Sequence, residues 1–347
     1  MTTRTLAATT PRRATRHQDA VSVGAATWLI VGLFSDGWAH HNVPGLESFF
    51  TPWHAALYSG FVATALWFVW LGREGGHRWY RALPHGYESG AAGIAVFGVG
   101  GLTDMAWHLT FGVESGLDAL LSPTHLLLFS GGALILSSPI RSRWSARDTT
   151  SVIAMTALTL LTALVAFFLL YVNEFATTGP LVGFEALPES DPGHTTAQLP
   201  AVAGLASFLV TTALVVTPQV LVWQRGHHPR GQLVLLVGVV AGLSAAVVDL
   251  EPAPVAGAAG AVVGALVGEL AVARLDLGAG PARIPALAAA AIAPVWIGHL
   301  VGLGAAAQVA WSIELVSGVV VLSTLAAGAL GVVASGPSAR RQAVDPA

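Results

Sequence analysis

The sequence predicts an all-α, polytopic membrane protein with about ten transmembrane helices. Of its 347 residues, 54% are hydrophobic and 10% are charged, and the mean hydropathy is +0.67. Soluble globular proteins carry about 25% charged residues, so this composition argues against a soluble enzyme. No basic domain is present that could hold nucleic acid. Because the chain has no cysteine, disulfides, thiolate nucleophiles and iron–sulfur clusters are excluded, and any metal must bind nitrogen and oxygen.

The distribution of basic residues predicts the topology. All 16 are arginine, and long apolar stretches separate their clusters. The clusters are Arg4, Arg12, Arg13 and Arg16; Arg73, Arg78 and Arg81; Arg141, Arg143 and Arg147; Arg225 and Arg230; Arg274 and Arg283; Arg340 and Arg341. Every second connection between apolar stretches contains arginine, as the positive-inside rule predicts for cytoplasmic connections. We therefore expect a multi-pass protein of the cell membrane with both termini in the cytoplasm.

Each apolar stretch approaches the roughly 20 residues that a spanning helix needs. The predicted spans are 20–39, 52–72, 88–109, 122–140, 150–172, 199–222, 231–250, 254–273, 284–306 and 311–334. The predicted organisation is an N-terminal cytoplasmic tail, a four-helix metal-binding unit, a six-helix membrane domain and a C-terminal cytoplasmic tail. Their ranges are 1–19, 20–140, 141–335 and 336–347.

The first four predicted helices contain an internal tandem repeat. Both copies have an Asp-x3-His pair, then a Glu, then a Ser/Thr-Pro-x-His unit. The first copy has Asp36, His40, Glu47, Thr51, Pro52 and His54, and the second has Asp104, His108, Glu114, Ser122, Pro123 and His125. Asp and His four residues apart share a helical face. A Ser or Thr N-cap followed by proline begins a helix, which puts the last histidine of each copy in the first turn of the returning helix.

The repeat therefore predicts a metal site at the outer face of the membrane. Asp36, His40 and His54 form one Asp/His/His set, and Asp104, His108 and His125 form the other. Ionisable groups at membrane depth are costly unless they are paired or coordinating, so they indicate function. Carboxylate and imidazole are ligands of copper, iron and zinc. Glu47, Glu114 and His299 are further candidate ligands or supporting groups.

The run from Asp36 to His54 resembles the C subunit of the copper membrane monooxygenases, the particulate methane and ammonia monooxygenase family. The resemblance covers about residues 20–140 and lies in the Asp-x3-His pair followed by Thr-Pro-x-His. It implies two adjacent copper positions, one at each Asp/His/His set, and hydroxylation of a small apolar substrate with dioxygen. Asp104 stands where the family tends to have Asn, the second loop is longer, and a cupredoxin-like domain is absent. Other membrane subunits, or further copies of this chain, are candidate partners besides the lipid bilayer.

Three classes of function follow from these residues. The first is a metal-dependent membrane monooxygenase, or its metal-bearing subunit, that oxidises a small apolar or lipid-like substrate, with copper favoured. The second is a non-catalytic metal-binding protein for storage, sensing or delivery. The extra carboxylates are also consistent with a carboxylate-rich di-iron or di-zinc membrane enzyme. The third, a transporter, is disfavoured because transporter ligands gather near the bilayer midplane, whereas these cluster at one face.

Overall fold

The structure is a computed structural model, and it describes residues 12–44, 49–112, 116–226, 228–275, 277 and 280–342. The described residues form α-helices and short 3-10 turns, with no β-strand among them. The α-helices are α1 Arg16–Asn42, α2 Pro52–Leu71, α3 Glu88–Phe111, α4 Gly116–Leu121, α5 Pro123–Ser145, α6 Val152–Phe168, α7 Glu174–Thr177, α8 His194–Trp223, α9 Gln232–Val247, α10 Pro252–Arg274, α11 Arg283–Ala306 and α12 Ile313–Gln342. The all-α prediction is thus confirmed for this part of the chain.

Eight of the described helices are long and apolar enough to cross a membrane: α1, α2, α3, α5, α8, α10, α11 and the Ile313–Gly336 part of α12. Apolar side chains such as Leu66, Leu102 and Val301 are about two-thirds exposed on these helices, as expected of a surface that faces lipid. The chain is therefore a multi-pass membrane protein.

The other two predicted spans correspond to α6 and α9, which are apolar but have only 17 and 16 residues. α9 ends at Val247 rather than near residue 250 because Asp249 and Leu250 have positive φ angles of 60° and 54°, which a right-handed helix does not allow. α6 ends at Phe168, where the backbone changes to a 3-10 turn. The ten-span topology therefore stays a prediction.

Consecutive long helices form the closest pairs, α1 with α2, α3 with α5 and α10 with α11. The last pair is close because α10 carries glycine at every fourth position. A Cβ at Gly260, Gly264 or Gly268 would meet the backbone of α11. Small residues at this spacing allow helix backbones to approach within a membrane.

One hydrophobic cluster joins α1 and α5 to α6 and α9. It contains Phe34 of α1, Leu136 of α5, Leu164 of α6 and Val247 of α9, all buried. At the end of α1, Asn42 Nδ2 also donates a hydrogen bond to the Val247 carbonyl at 2.7 Å. Helices α6 and α9 therefore pack directly against the helices that carry the candidate site.

A buried polar network fixes the arginine-rich end of the first helices. Arg143 of α5 pairs with Asp19 of α1, and the Tyr87 hydroxyl donates to Asp19 Oδ1 at 2.7 Å. The Ser142 hydroxyl donates to Asp19 Oδ2 at 3.1 Å. A buried carboxylate needs this number of partners to offset the loss of water. The network holds α1 and α5 together at the opposite end from the aspartate–histidine repeat.

Candidate metal centre

Two aspartate–histidine pairs lie in the last turns of α1 and α3, at the same end of the bundle. In α1, His40 Nε2 is 3.8 Å from Asp36 Oδ2. In α3, His108 Nε2 is 3.5 Å from Asp104 Oδ1. The four-residue spacing accounts for both contacts, because it places the two side chains one above the other on a helix.

Two further histidines enter from the first turns of α2 and α5. Thr51 and Ser122 are the N-caps, and their side-chain oxygens accept hydrogen bonds from the backbone N–H groups of His54 and His125. The same oxygens bond the rings, at 3.0 Å to His54 Nδ1 and 2.7 Å to His125 Nδ1. The cap residue therefore starts the helix and also orients the imidazole.

The two entering histidines face the carboxylates differently. His125 bonds its cap through Nδ1, while its Nε2 lies 3.3 Å from Asp104 Oδ1. His54 instead has its Nδ1 3.2 Å from Asp36 Oδ1. The two copies thus share their local helix starts but not the ring orientation.

A backbone contact orients the ring of His108. Its Nδ1 lies 3.3 Å from the Gly112 carbonyl oxygen. A carbonyl only accepts hydrogen bonds, so a hydrogen bond here requires the proton on Nδ1, and Nε2, 3.5 Å from Asp104 Oδ1, is then the nitrogen available to a metal ion. A histidine whose other nitrogen donates to a backbone carbonyl is the usual arrangement of metal-binding histidines.

Asp104 is held by two residues that the sequence analysis did not identify. The Thr124 hydroxyl donates to Asp104 Oδ1 at 3.0 Å, and the Tyr58 hydroxyl donates to Oδ2 at 3.4 Å. Tyr58 lies four residues after His54 on the same face of α2, so helical spacing could have found it. Thr124 lies between Pro123 and His125 and had no comparable signal.

The six predicted side chains converge in one cluster. Ring centroids are 5.5 Å apart for His40 and His54, 6.2 Å for His54 and His108, and 5.8 Å for His108 and His125. Two groups of three residues within the cluster could each hold a metal ion. In each group, one ligand atom from each residue lies within 4.8 Å of the other two. These groups are Asp36, His40 and His54, and His54, Asp104 and His108. His54 belongs to both, which the sequence analysis did not anticipate.

Two carboxylate–imidazole contacts of the cluster fit a metal ion by distance. With metal–ligand bonds of about 2.0–2.2 Å, two donors on one ion can be no more than about 4.4 Å apart. The separations of 3.2 Å for Asp36–His54 and 3.8 Å for Asp36–His40 satisfy this limit. Asp36 Oδ1 is also buried, and apart from the 3.2 Å contact with His54 Nδ1 it has no hydrogen-bond partner among the described residues. A cation would offset the cost of burying that oxygen.

The cluster opens onto a cavity between α1, α2, α3, α5 and α6. Its volume is about 100 Å³, several times the roughly 10–15 Å³ needed for one water by the same measure. Asp36, His40, His54, Asp104 and His125 form one part of its wall, and the rest is mainly apolar. The apolar wall includes Leu29, Leu33, Phe97, Leu128, Leu164 and Phe167. Because Leu164 and Phe167 belong to α6, the cavity extends beyond the predicted 20–140 unit.

Phe49 covers the cluster from the chain segment before α2. Its ring centroid is 4.8 Å from that of His54, 6.0 Å from that of His108 and 5.7 Å from that of Tyr58. An apolar ring over three polar side chains lowers the dielectric around them, which strengthens electrostatic interactions inside.

The three further candidate residues are Glu47, Glu114 and His299. Glu47 and Glu114 lie outside the described residues. His299 of α11 is fully buried beside Glu174, with Nε2 3.5 Å from Glu174 Oε1, and its ring packs against Phe175 and Trp296. The contacts described for His299 are thus with the second half of the chain.

Comparison with protein-family models, with curated proteins and with solved structures finds no match to this chain. The argument for its function therefore rests on the geometry of the cluster and its cavity.

Proposed function

We propose that this chain is a metal-dependent membrane monooxygenase, or its metal-bearing subunit, with copper as the favoured metal. The observation that carries the proposal is the junction between a buried Asp/His cluster and an apolar cavity. Four imidazoles and two carboxylates suit copper, iron or zinc, and copper is favoured because the run from Asp36 to His54 resembles the copper membrane monooxygenases. A substrate in the cavity would be small and apolar or lipid-like, and would arrive from the bilayer.

The residues have separate roles in this proposal. Asp36 and Asp104 offset the charge of the cation, while His40, His54, His108 and His125 supply nitrogen donors. A bound copper ion would supply the redox chemistry that activates dioxygen.

The surrounding groups position and enclose that cluster. Thr124 and Tyr58 fix the Asp104 carboxylate, and the Tyr58 hydroxyl oxygen donates its proton to Asp104 Oδ2 across 3.4 Å. Leu33, Phe97 and the other apolar walls bind the substrate by contact and exclude water.

The first experiment measures the metal in the purified protein by elemental analysis. His40→Ala and His108→Ala should each lower the metal-to-protein ratio, because each removes a donor from a small set. His85→Ala is the matched control, since His85 is about half exposed and lies beside Glu88, before α3 at the opposite end from the cluster. Unchanged metal in both site variants would reject the metal centre. Detection of iron or zinc in the wild-type protein would favour the carboxylate-rich di-iron or di-zinc enzyme over the copper enzyme.

The second experiment tests oxidation. The metal-loaded protein is treated with a reductant, then with dioxygen and a short-chain hydrocarbon, while electron paramagnetic resonance follows the metal and chromatography detects an alcohol product. Redox cycling with alcohol formation supports the proposal. Metal that stays bound without changing its oxidation state would instead assign a storage, sensing or delivery role.

A further inference from the structure

A second pocket lies at the arginine-rich end of the chain, between the ends of α8, α9, α10 and α11. Its volume is about 360 Å³. The polar part of its wall consists of Gln219, His228, Arg230, Glu269 and Arg283. The aspartate–histidine cluster lies at the C-terminal ends of α1 and α3, which are at the other end of the bundle. This pocket is therefore a separate site.

The one carboxylate among the described lining residues, Glu269, already accepts hydrogen bonds from the protein backbone. Glu269 Oε2 accepts a hydrogen bond from the Gly231 N–H at 2.8 Å, and Oε1 accepts from the Leu233 N–H at 2.7 Å and the Val234 N–H at 3.3 Å. Gly231 is the N-cap of α9 and supplies no side-chain cap. Glu269 therefore caps α9 from α10, and the positive end of that helix offsets its charge.

The guanidinium groups of the pocket lack a carboxylate partner within the described part of the chain. Neither Arg230 nor Arg283 forms an ion pair there, and Arg283 Nη2 instead contacts His228 Nε2. Among the described lining residues, two guanidinium groups and one helix-capping glutamate leave a net positive charge. Such a lining favours an anion with several oxygen atoms.

A buried donor inside the pocket also lacks a partner. Gln219 is 3% exposed, and its Nε2 makes no hydrogen bond with any described residue. An unsatisfied buried donor costs about 1–3 kcal/mol. A ligand oxygen beside Gln219 would remove that cost.

The remaining wall is apolar and includes Trp223, Leu233, Val272 and Leu287. A ligand that fits the whole pocket must therefore combine an acidic, oxygen-rich group with an apolar part. Basic pockets between transmembrane helices bind the headgroups of anionic lipids, and anionic lipids are abundant in the cytoplasmic leaflet. The positive-inside rule predicts that this arginine-rich end faces that leaflet.

We propose that this pocket binds the phosphate headgroup of an anionic phospholipid. The phosphate contacts Arg230, Arg283 and the Gln219 amide, and the apolar wall contacts the start of an acyl chain. The proposal is independent of the metal centre and of its chemistry.

The test uses purified, delipidated full-length protein and three probes: phosphatidylglycerol, phosphatidylcholine and inorganic phosphate. Native mass spectrometry counts bound lipid, and thermal denaturation in detergent measures stabilisation. We expect phosphatidylglycerol to bind and to raise the melting temperature, while phosphatidylcholine does neither. Equal stabilisation by inorganic phosphate would overturn the lipid assignment and leave a free-anion site. Equal binding of both lipids would overturn the pocket's role in recognising charge.

Variants locate the binding. Arg283→Gln and Arg230→Gln should each weaken phosphatidylglycerol binding at least tenfold, and Gln219→Leu should weaken it without lowering the melting temperature of the lipid-free protein. Arg225→Gln is the matched control, because that guanidinium lies over the Trp144 ring at 3.7 Å and does not line the pocket. A loss with Arg225→Gln as large as with Arg283→Gln would show that only general surface charge matters, and would reject the pocket.

Discussion

The imidazole rings of His54 and His108 lie 6.2 Å apart between centroids and are nearly perpendicular, at 80°. They come from different copies of the repeated motif, on α2 and α3. Because His54 also lies 3.2 Å from Asp36, it connects the two Asp/His/His sets that the sequence analysis treats as separate. The cluster is better described as one continuous set of donors, with His54 near its centre.

His54→Ala should therefore remove more metal than His125→Ala. His54 belongs to both groups of donors and His125 to neither, although His125 lies 3.3 Å from Asp104. Elemental analysis of the two variants, purified in parallel, gives the metal-to-protein ratios. Equal metal-to-protein ratios in the two variants would contradict the central position of His54 and would favour two independent Asp/His/His sets.

Thr124→Val should weaken metal binding roughly 10- to 100-fold, the usual effect of losing a residue that supports a ligand. Thr124 is 5% exposed and its hydroxyl donates to Asp104 Oδ1 at 3.0 Å. Valine keeps the shape of threonine but removes the donor, so the carboxylate loses an anchor. Thr124→Ser is the control, since it keeps the hydroxyl and should bind metal with an affinity near that of the wild type. Competition with a metal chelator measures both affinities, and a Val variant as tight as the Ser variant would count against this role.

The helix positions of the site residues could be predicted from local rules. The spacing of Asp36 and His40, and of Asp104 and His108, depends only on helical geometry. Thr51-Pro52 and Ser122-Pro123 begin helices by capping, which is also local. These rules place six side chains at one end of the bundle, where the structure has them.

Contacts between distant parts of the chain could not be predicted in this way. The apolar wall from Leu164 and Phe167 depends on how α6 packs against α1 and α5, and neither residue has a distinctive pattern. The pairing of His299 with Glu174 joins residues more than a hundred positions apart. Burial raises the pKa of the Glu174 carboxyl above its ordinary value, but the sequence shows Glu174 only as one acid in a connecting segment.

Cysteine labelling should show that the aspartate–histidine cluster and the arginine clusters lie on opposite sides of the membrane. Native cysteine is absent, so single variants report one position each. Ser190→Cys, in the exposed segment before α8, should react with an impermeant thiol reagent added to intact cells. His77→Cys, in the exposed segment between α2 and α3, should react only after the membrane is opened. The reverse pattern would overturn the predicted orientation, and labelling of both from outside would overturn the helix count between them.

Gly264→Ala should destabilise the protein by about 1–3 kcal/mol, the usual cost of overpacking. A Cβ at Gly264 would lie 2.6 Å from the Pro294 carbonyl carbon and 2.7 Å from Val295 Cα. Both atoms belong to the backbone of α11, so α10 and α11 must separate to accept the methyl group.

Gly242→Ala in α9 is the matched control, because nothing lies within 4 Å of that position. Alanine there should be neutral or stabilising, since it favours a helix over glycine by about 1 kcal/mol. Thermal denaturation in detergent, followed by tryptophan fluorescence, measures the stability of both variants. A Gly264→Ala protein as stable as the Gly242→Ala protein would show that stability does not depend on the close backbone contact between α10 and α11.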